Sequence, residues 1–121
     1  DLIARFKPGV PYESLPHILN ASDIVINMTT AGSFDKTIIE STACGTLVVT
    51  SNTALAGKID ERLICKAGDA NDLAAKIQAL LALPEQVRTQ LGERLRAYVI
   101  ENHSLKALVE TVAKECERAI V

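Results

Sequence analysis

A carboxylate set inside a helix, just past a glycine-containing loop, is the clearest sign of chemistry in this chain. The stretch is residues 32–51, GSFDKTIIESTACGTLVVTS, which reads as a loop, a short helix, a small-residue turn and a buried strand. Backbone N–H groups at a helix N-terminus lack intrahelical partners and carry partial positive charge, so such a loop can hold a phosphate. Gly32 lets the backbone approach a ligand, and Ser33 can cap the helix by accepting an N–H bond. Glu40 lies more than a turn further in, too deep for a cap, where it could accept hydrogen bonds from ligand hydroxyls.

The elements that must position these residues alternate between strand and helix. LIARF (2–6) is a short strand candidate, KPGVP (7–11) a turn, and residues 12–20 a helix with Pro16 in its first turn. DIVINM (23–28) is a β-branched run without polar alternation, as expected of a strand covered on both faces. The next helix spans about 35–44, with Ile38, Ile39 and Ala43 as its buried stripe and Gly45 at C′. LVVT (47–50) is a second buried strand, 51–62 a loop with room for a helical turn, and LICK (63–66) a last short strand. Asp69 or Asn71 then caps a helix to about residue 83 that buries Leu73, Ile77, Leu80 and Leu81. Pro84 suits the first position of another, through about residue 100, burying Val87, Leu91, Leu95 and Val99. Ser104 caps the last, with Leu105, Leu108, Val109, Val112 and Cys116 inward. The expectation is one α/β domain over 1–121, with a parallel-sheet core over 1–83 and added helices over 84–121.

The 32–51 stretch resembles the donor-site motif of the GT-B-fold glycosyltransferases of family 4 (group 1), E-G-F-G-x-x-x-x-E-A-M-A-C-G-x-P-V-V-A-S. Phe34, Glu40, Ala43, Cys44, Gly45, Val48, Val49 and Ser51 match in register. Gly32, Ser33 and Asp35 stand where the pattern has its first Glu and two Gly residues, Ser41-Thr42 replace Ala-Met, and Leu47 replaces Pro. Upstream, residues 6–30 resemble the segment that leads into this motif, and Asp23 matches its Asp before a strand. Downstream, the helical tail resembles the family's C-terminal helices, so nearly the whole chain is covered. The resemblance implies a three-layer, Rossmann-like parallel sheet, part of a GT-B C-terminal domain that lacks its first two strands. It also implies transfer of a sugar from a nucleotide-diphosphate sugar, with that donor as substrate and no resident cofactor or metal.

By the resemblance, Glu40 holds the donor's ribose hydroxyls, and Gly32, Ser33 and Phe34 form the loop over its sugar and phosphates. Lys36 would neutralise diphosphate charge; its competing reading is a plain exposed lysine beside an Asp35 that matches the helix dipole. Thr29 and Thr30 end strand 23–28 at its carboxyl edge, where open α/β sheets bind ligands. Their competing reading is local backbone satisfaction. No catalytic residue is assigned: His17 and His103 are isolated, with no nucleophile arrangement around either.

Composition bounds the rest. The 121 residues are 48% hydrophobic and 23% charged, which excludes a disordered or fibrous chain. A net charge of -2, scattered basic residues and only 3% aromatics give no reason to expect a nucleic-acid partner. No apolar run approaches the ~20 residues of a membrane span. Cys44, Cys65 and Cys116 have no metal-type spacing and fit reduced thiols, hence a cytoplasmic setting, peripheral on the inner membrane face at most. A start at Asp1 reads as a piece of a longer protein, whose other half would supply the acceptor site, so the chain alone should be inactive.

With two family strands missing, strand 23–28 should show an apolar edge. Either LIARF moves in beside it, or two chains pair there as a homodimer, or the missing half covers it. The alternative function is thus a small stand-alone α/β module that works by association through that edge. A receiver-like domain is a third reading; it needs an acidic cluster at strand ends, for which Asp23 is the only candidate.

Overall fold

The structure is a computed structural model that describes residues 3–30, 32 and 35–120. Two parallel strands, β1 (Ile24–Asn27) and β2 (Leu47–Thr50), pair in the register Ile24–Leu47 to Asn27–Thr50. Helix α1 (Leu15–Asn20), preceded by a 3-10 turn at Tyr12–Ser14, leads into β1, and α2 (Lys36–Ala43) joins β1 to β2. Two 3-10 turns, Thr53–Leu55 and Glu61–Leu63, follow β2. Helices α3 (Ala70–Leu81), α4 (Glu85–His103) and α5 (Leu105–Ile120) complete the chain.

β2 is the buried strand, each of its residues at most 4% exposed. Its alternation divides the core. Leu47 and Val49 pack with Leu63, Leu80, Leu91 and Leu95, while Val48 packs with Ile38 and Leu55. β1 is shorter than expected and not doubly covered: Ile26 is 49% exposed and Met28 36%. β1 pairs with β2 alone among the described residues, so one edge carries no described partner.

Several sequence expectations fail here. LIARF is not a strand: its described residues 3–6 are irregular, with Ile3 75% and Phe6 98% exposed, so they do not fill the place beside β1. Leu2 lies outside the described residues. LICK is reduced to a single parallel bridge, Ile64 to Thr50, because residues 61–63 wind into a 3-10 turn. In α2 the buried face is Ile38, Ser41 and Thr42 rather than Ile38, Ile39 and Ala43. The Ser41 and Thr42 hydroxyls donate to the carbonyls of Thr37 (2.7 Å) and Ile38 (2.8 Å), so burial leaves neither unsatisfied. Leu81 is 50% exposed at the end of α3. Helix α5 buries none of its residues; Leu105, Leu108, Val109 and Val112 lie 52–76% exposed, because only a few residues of α5 reach α4. Pro84 is the residue before α4 rather than its first, with extended ψ of 145°.

The turn between α2 and β2 is as the sequence predicts. Gly45 adopts φ of +78°, Gly45 N–H donates to Thr42 O (2.9 Å) and Thr46 N–H to Ser41 O (3.0 Å). These two bonds are the Schellman pair that closes a helix on a left-handed residue. Thr46 Oγ1 then donates to Leu19 O at 2.9 Å, tying α1 to the same turn. Helix α4 crosses here with Gly92: a Cβ on Gly92 would drive into the Gly45 carbonyl oxygen, with the Gly45 carbonyl carbon only 3.3 Å away.

That contact sets a prediction. Gly92→Ala should lower stability by about 1–3 kcal/mol through overpacking, although alanine is by itself the better helix former. Gly9→Ala, where nothing lies within 4 Å, is the control and should leave the midpoint unmoved. Thermal unfolding checks both; equal midpoints for the two variants would refute the close seat of α4 on α2.

Candidate functional site

The carboxyl edge of the strand pair carries a layer of short polar side chains. Asn27 ends β1 and is buried, and Thr50, Ser51 and Asn52 are buried at the end of β2. Asn27 Oδ1 accepts from both the Thr29 hydroxyl (2.6 Å) and the Thr29 N–H (3.2 Å). Ser51 Oγ donates to Thr29 O at 3.4 Å, and Ser51 N–H to Asn27 O at 3.3 Å, so the two strand ends are stitched together. Asn52 Oδ1 accepts from Ala54 N–H at 2.9 Å and starts the first 3-10 turn.

Helix α2 opens onto this layer. Its N-cap is Asp35, not Ser33: the carboxylate accepts from Thr37 N–H at 2.9 Å, and Asp35 keeps an extended backbone. The Asn27 side chain, then the Thr37 N–H, hold the Asp35 carboxyl below its ordinary 3.8. Asn27 thus acts as a clip between Thr29 and Asp35. Nothing in the sequence marks this role: residues 23–28 read there as a β-branched run without polar alternation.

The proposed donor residues divide into two places. Thr29 belongs to the polar layer, its hydroxyl taken by Asn27; Thr30 and Gly32 are exposed beside it. A Cβ on Gly32 would meet Thr53 Oγ1 at 3.8 Å, an ordinary contact, so nothing in the protein itself demands glycine there. Ser33 and Phe34 lie outside the described residues. Lys36 is exposed on the first turn of α2, and Glu40, four residues on, shares its helix face. Glu40 is half-buried at the rim of an apolar recess of about 210 Å³, lined by Tyr12, Leu15, Pro16 and Leu19 from the α1 side and by Cys44 from α2. The Glu40 carboxylate makes no hydrogen bond or ion pair with another described residue.

Asp23 stands just before β1, at the amino edge, beside Asn20, Thr46 and Arg88. It is therefore at the wrong end of the strand to start an acidic cluster at the carboxyl edge, which removes the receiver-like reading. Among the described residues no group of three or more His, Cys, Asp or Glu could hold a metal ion. Among the described residues no helix is long and apolar enough to cross a membrane.

Comparison with known proteins settles the family. The model of the glycosyl transferase-like family matches residues 3–114. The chain belongs to that family. It is also similar to the 56 kDa subunit of the UDP-forming alpha,alpha-trehalose-phosphate synthase of Kluyveromyces lactis, at 26% identity over 96 residues. That match covers 75% of this chain and 20% of the relative, so the chain spans about a fifth of the length of the curated relative it matches. No solved structure matches.

The capping arrangement gives a pH prediction. A folded-state pKa below the ordinary one means that ionised Asp35 stabilises the fold above about pH 4, and that this is lost as pH falls through its lowered value. Asp35→Asn keeps a good N-cap but cannot titrate. Its unfolding midpoint should match wild type at pH 7 and fall less steeply as pH drops below about 4. Identical acid profiles would show that Asp35 does not cap α2 as an anion.

Proposed function

We propose that this chain is the donor-binding part of a glycosyltransferase that moves a sugar from a nucleotide-diphosphate sugar to an acceptor. In that reading it is part of a three-layer, Rossmann-like sheet of the GT-B type, and strands absent from this chain would pair along the open edge of β1. The observation that carries the proposal is Glu40: a carboxylate with no partner among the described residues, more than a turn inside α2, beside an apolar recess and on the same helix face as Lys36. A carboxylate so placed can accept both hydroxyls of a ribose while Lys36 and the loop from Gly32 reach toward the diphosphate. Thr29 and Thr30 border the same edge. The family membership and the UDP-forming relative support the same donor class.

A single wall of a cleft neither excludes water nor orients two substrates, so the chain alone is expected to bind the donor without turning it over. Binding should itself be weak. Asp35 places a negative charge on the α2 N-terminus, where a diphosphate would otherwise profit from the helix dipole.

The open β1 edge supports a second reading, a module that acts by pairing with another chain there. Ile26 on that strand and Met28 just after it are exposed. Sedimentation equilibrium separates the two: a concentration-dependent dimer lost on Ile26→Lys would favour association.

The donor reading is tested by chemical-shift titration with UDP, GDP and ADP. A dissociation constant on the order of a millimolar is expected, with shifts in residues 29–41. Glu40→Gln should weaken binding while stability changes by no more than about 0.5 kcal/mol. Asp35→Asn should tighten it about fivefold, the worth of one screened like charge a few ångströms away. No movement of residues 29–41 at several millimolar nucleotide, in wild type and Asp35→Asn alike, would sink the donor assignment.

A further inference from the structure

A second cavity lies away from Glu40, between the loop after β2 and helix α4. It measures about 240 Å³, and Ile59, Leu63, Leu91 and Leu95 line it beside Lys58, Asp60, Arg94 and Tyr98. We infer that this cleft is a ligand site for a small organic carboxylate that carries an apolar ring.

The apolar part of the lining is firm. Leu63, Leu91 and Leu95 are at most 4% exposed and belong to the main core cluster, so they form a packed floor, and Ile59 and Tyr98 offer the apolar surface that a ligand can reach. The loop wall is preorganised as well. Gly57 N–H donates to Glu61 Oε1 at 3.2 Å, Lys76 Nζ donates to Glu61 O at 2.9 Å, and Asp60 accepts from Arg62 N–H at 3.0 Å. A ligand would not have to order this loop, which removes one cost of binding.

Charge decides the ligand's sign. Among the described residues Asp60 is the only carboxylate in the lining, and it is already engaged. Arg62 Nε and Nη2 reach its two oxygens at 2.8 and 2.7 Å. That bidentate pair, with Arg94 adding to it from across the cleft, pulls the Asp60 carboxyl down to about 2, so it stays ionised and occupied at neutral pH. Lys58 and Arg94 remain as two cations with no hydrogen bond or ion pair to other described side chains. Glu61, next to the lining, has one oxygen on Gly57 N–H. His103 lies edge-on to Tyr98, its ring centroid 5.5 Å away. Burial, then nearby Lys58, lowers its pKa, so it adds no charge at pH 7.

Size narrows the class. At about 240 Å³ the cavity falls below the ~300–1,000 Å³ of drug-sized pockets, so the ligand is one ring with a short acidic arm rather than a nucleotide. Its carboxylate would bridge Arg94 and Lys58, and its ring would lie against Ile59 and Tyr98, the half-buried apolar side chains of the lining. A bare inorganic anion would leave Ile59 and Tyr98 wet, and a neutral ring would bring Lys58 and Arg94 no anion.

Benzoate, benzyl alcohol, acetate and inorganic phosphate are the probes, titrated into the full chain with backbone chemical shifts as readout. Benzoate should give saturable shifts in residues 58–63 and 91–98, with a dissociation constant on the order of a millimolar. Benzyl alcohol, acetate and phosphate should each bind at least about tenfold more weakly, since each lacks one half of the recognition. Arg94→Gln and Lys58→Gln should each weaken benzoate about fivefold while the unfolding midpoint stays put. The inference is overturned if benzyl alcohol or phosphate matches benzoate, if the shifts do not saturate, or if both variants bind as wild type does. Residues 29–41 should stay still under benzoate, so this outcome is read independently of the nucleotide titration.

Discussion

The backbone contact between Gly92 and Gly45 is the constraint on which the arrangement of this molecule rests. Gly92 has no side chain, so α4 can cross the last turn of α2 at main-chain distance, whereas Gly45 answers to its φ of +78° and has open space where a Cβ would stand. Its neighbours Leu91 and Leu95 then reach β2 and join Leu47, Val49, Leu63 and Leu80. A larger residue at 92 would lift α4 and open that cluster from one side. The same crossing places Arg94 and Tyr98 against the Lys58–Asp60 loop, so the second cavity owes its shape to a glycine that does not line it.

At the other end of α2 the controlling element is polar. Burying Asn27, Thr50, Ser51 and Asn52 would be costly if their groups lacked partners. Asn27 serves Thr29 and Asp35, and Ser51 reaches back to the 27–29 backbone. The Thr50 hydroxyl accepts from Asn52 N–H at 3.0 Å, and the Asn52 amide starts the following turn. The result is a fixed shelf at the carboxyl edge that orients the N-terminus of α2, while Ile38 seats the helix's apolar face on Val48.

Local signals and burial signals differed in legibility. Helix ends were readable because their chemistry is local: Gly45, Pro16, Asp69 and Ser104 each act within a few residues of their own position. The apolar periods of α3 and α4 were readable because packing rewards them directly. What failed was apolar sequence whose covering surface lies outside the described residues. Residues 3–6 of LIARF, Ile26 of β1 and the stripe of α5 read in the sequence as parts of buried elements and are exposed here. Composition records that a face favours burial, not which surface meets it. The site was half legible. Glu40 announced itself by depth within a helix, whereas Asn27 and Asp35 act through a bond between residues eight apart, which no spacing rule for strands or helices contains.

The departures from the family's motif now separate into two kinds. Ser41 and Thr42, in place of Ala and Met, turn inward and satisfy themselves on α2's own carbonyls, so they change the core's chemistry and leave the helix where it is. Asp35, in place of a glycine, changes the ligand end. It takes a helix N–H that a phosphate oxygen could have used and sets a carboxylate beside it. In the proposed donor reading, two acids, Asp35 and Glu40, and one base, Lys36, would stand at the donor's end of α2. Such a set would favour a hydroxyl-rich ligand, and its two acids would oppose a diphosphate. On that reading the helix would serve the sugar and ribose parts of a donor, while the charge of the phosphates would have to be met by cations from elsewhere.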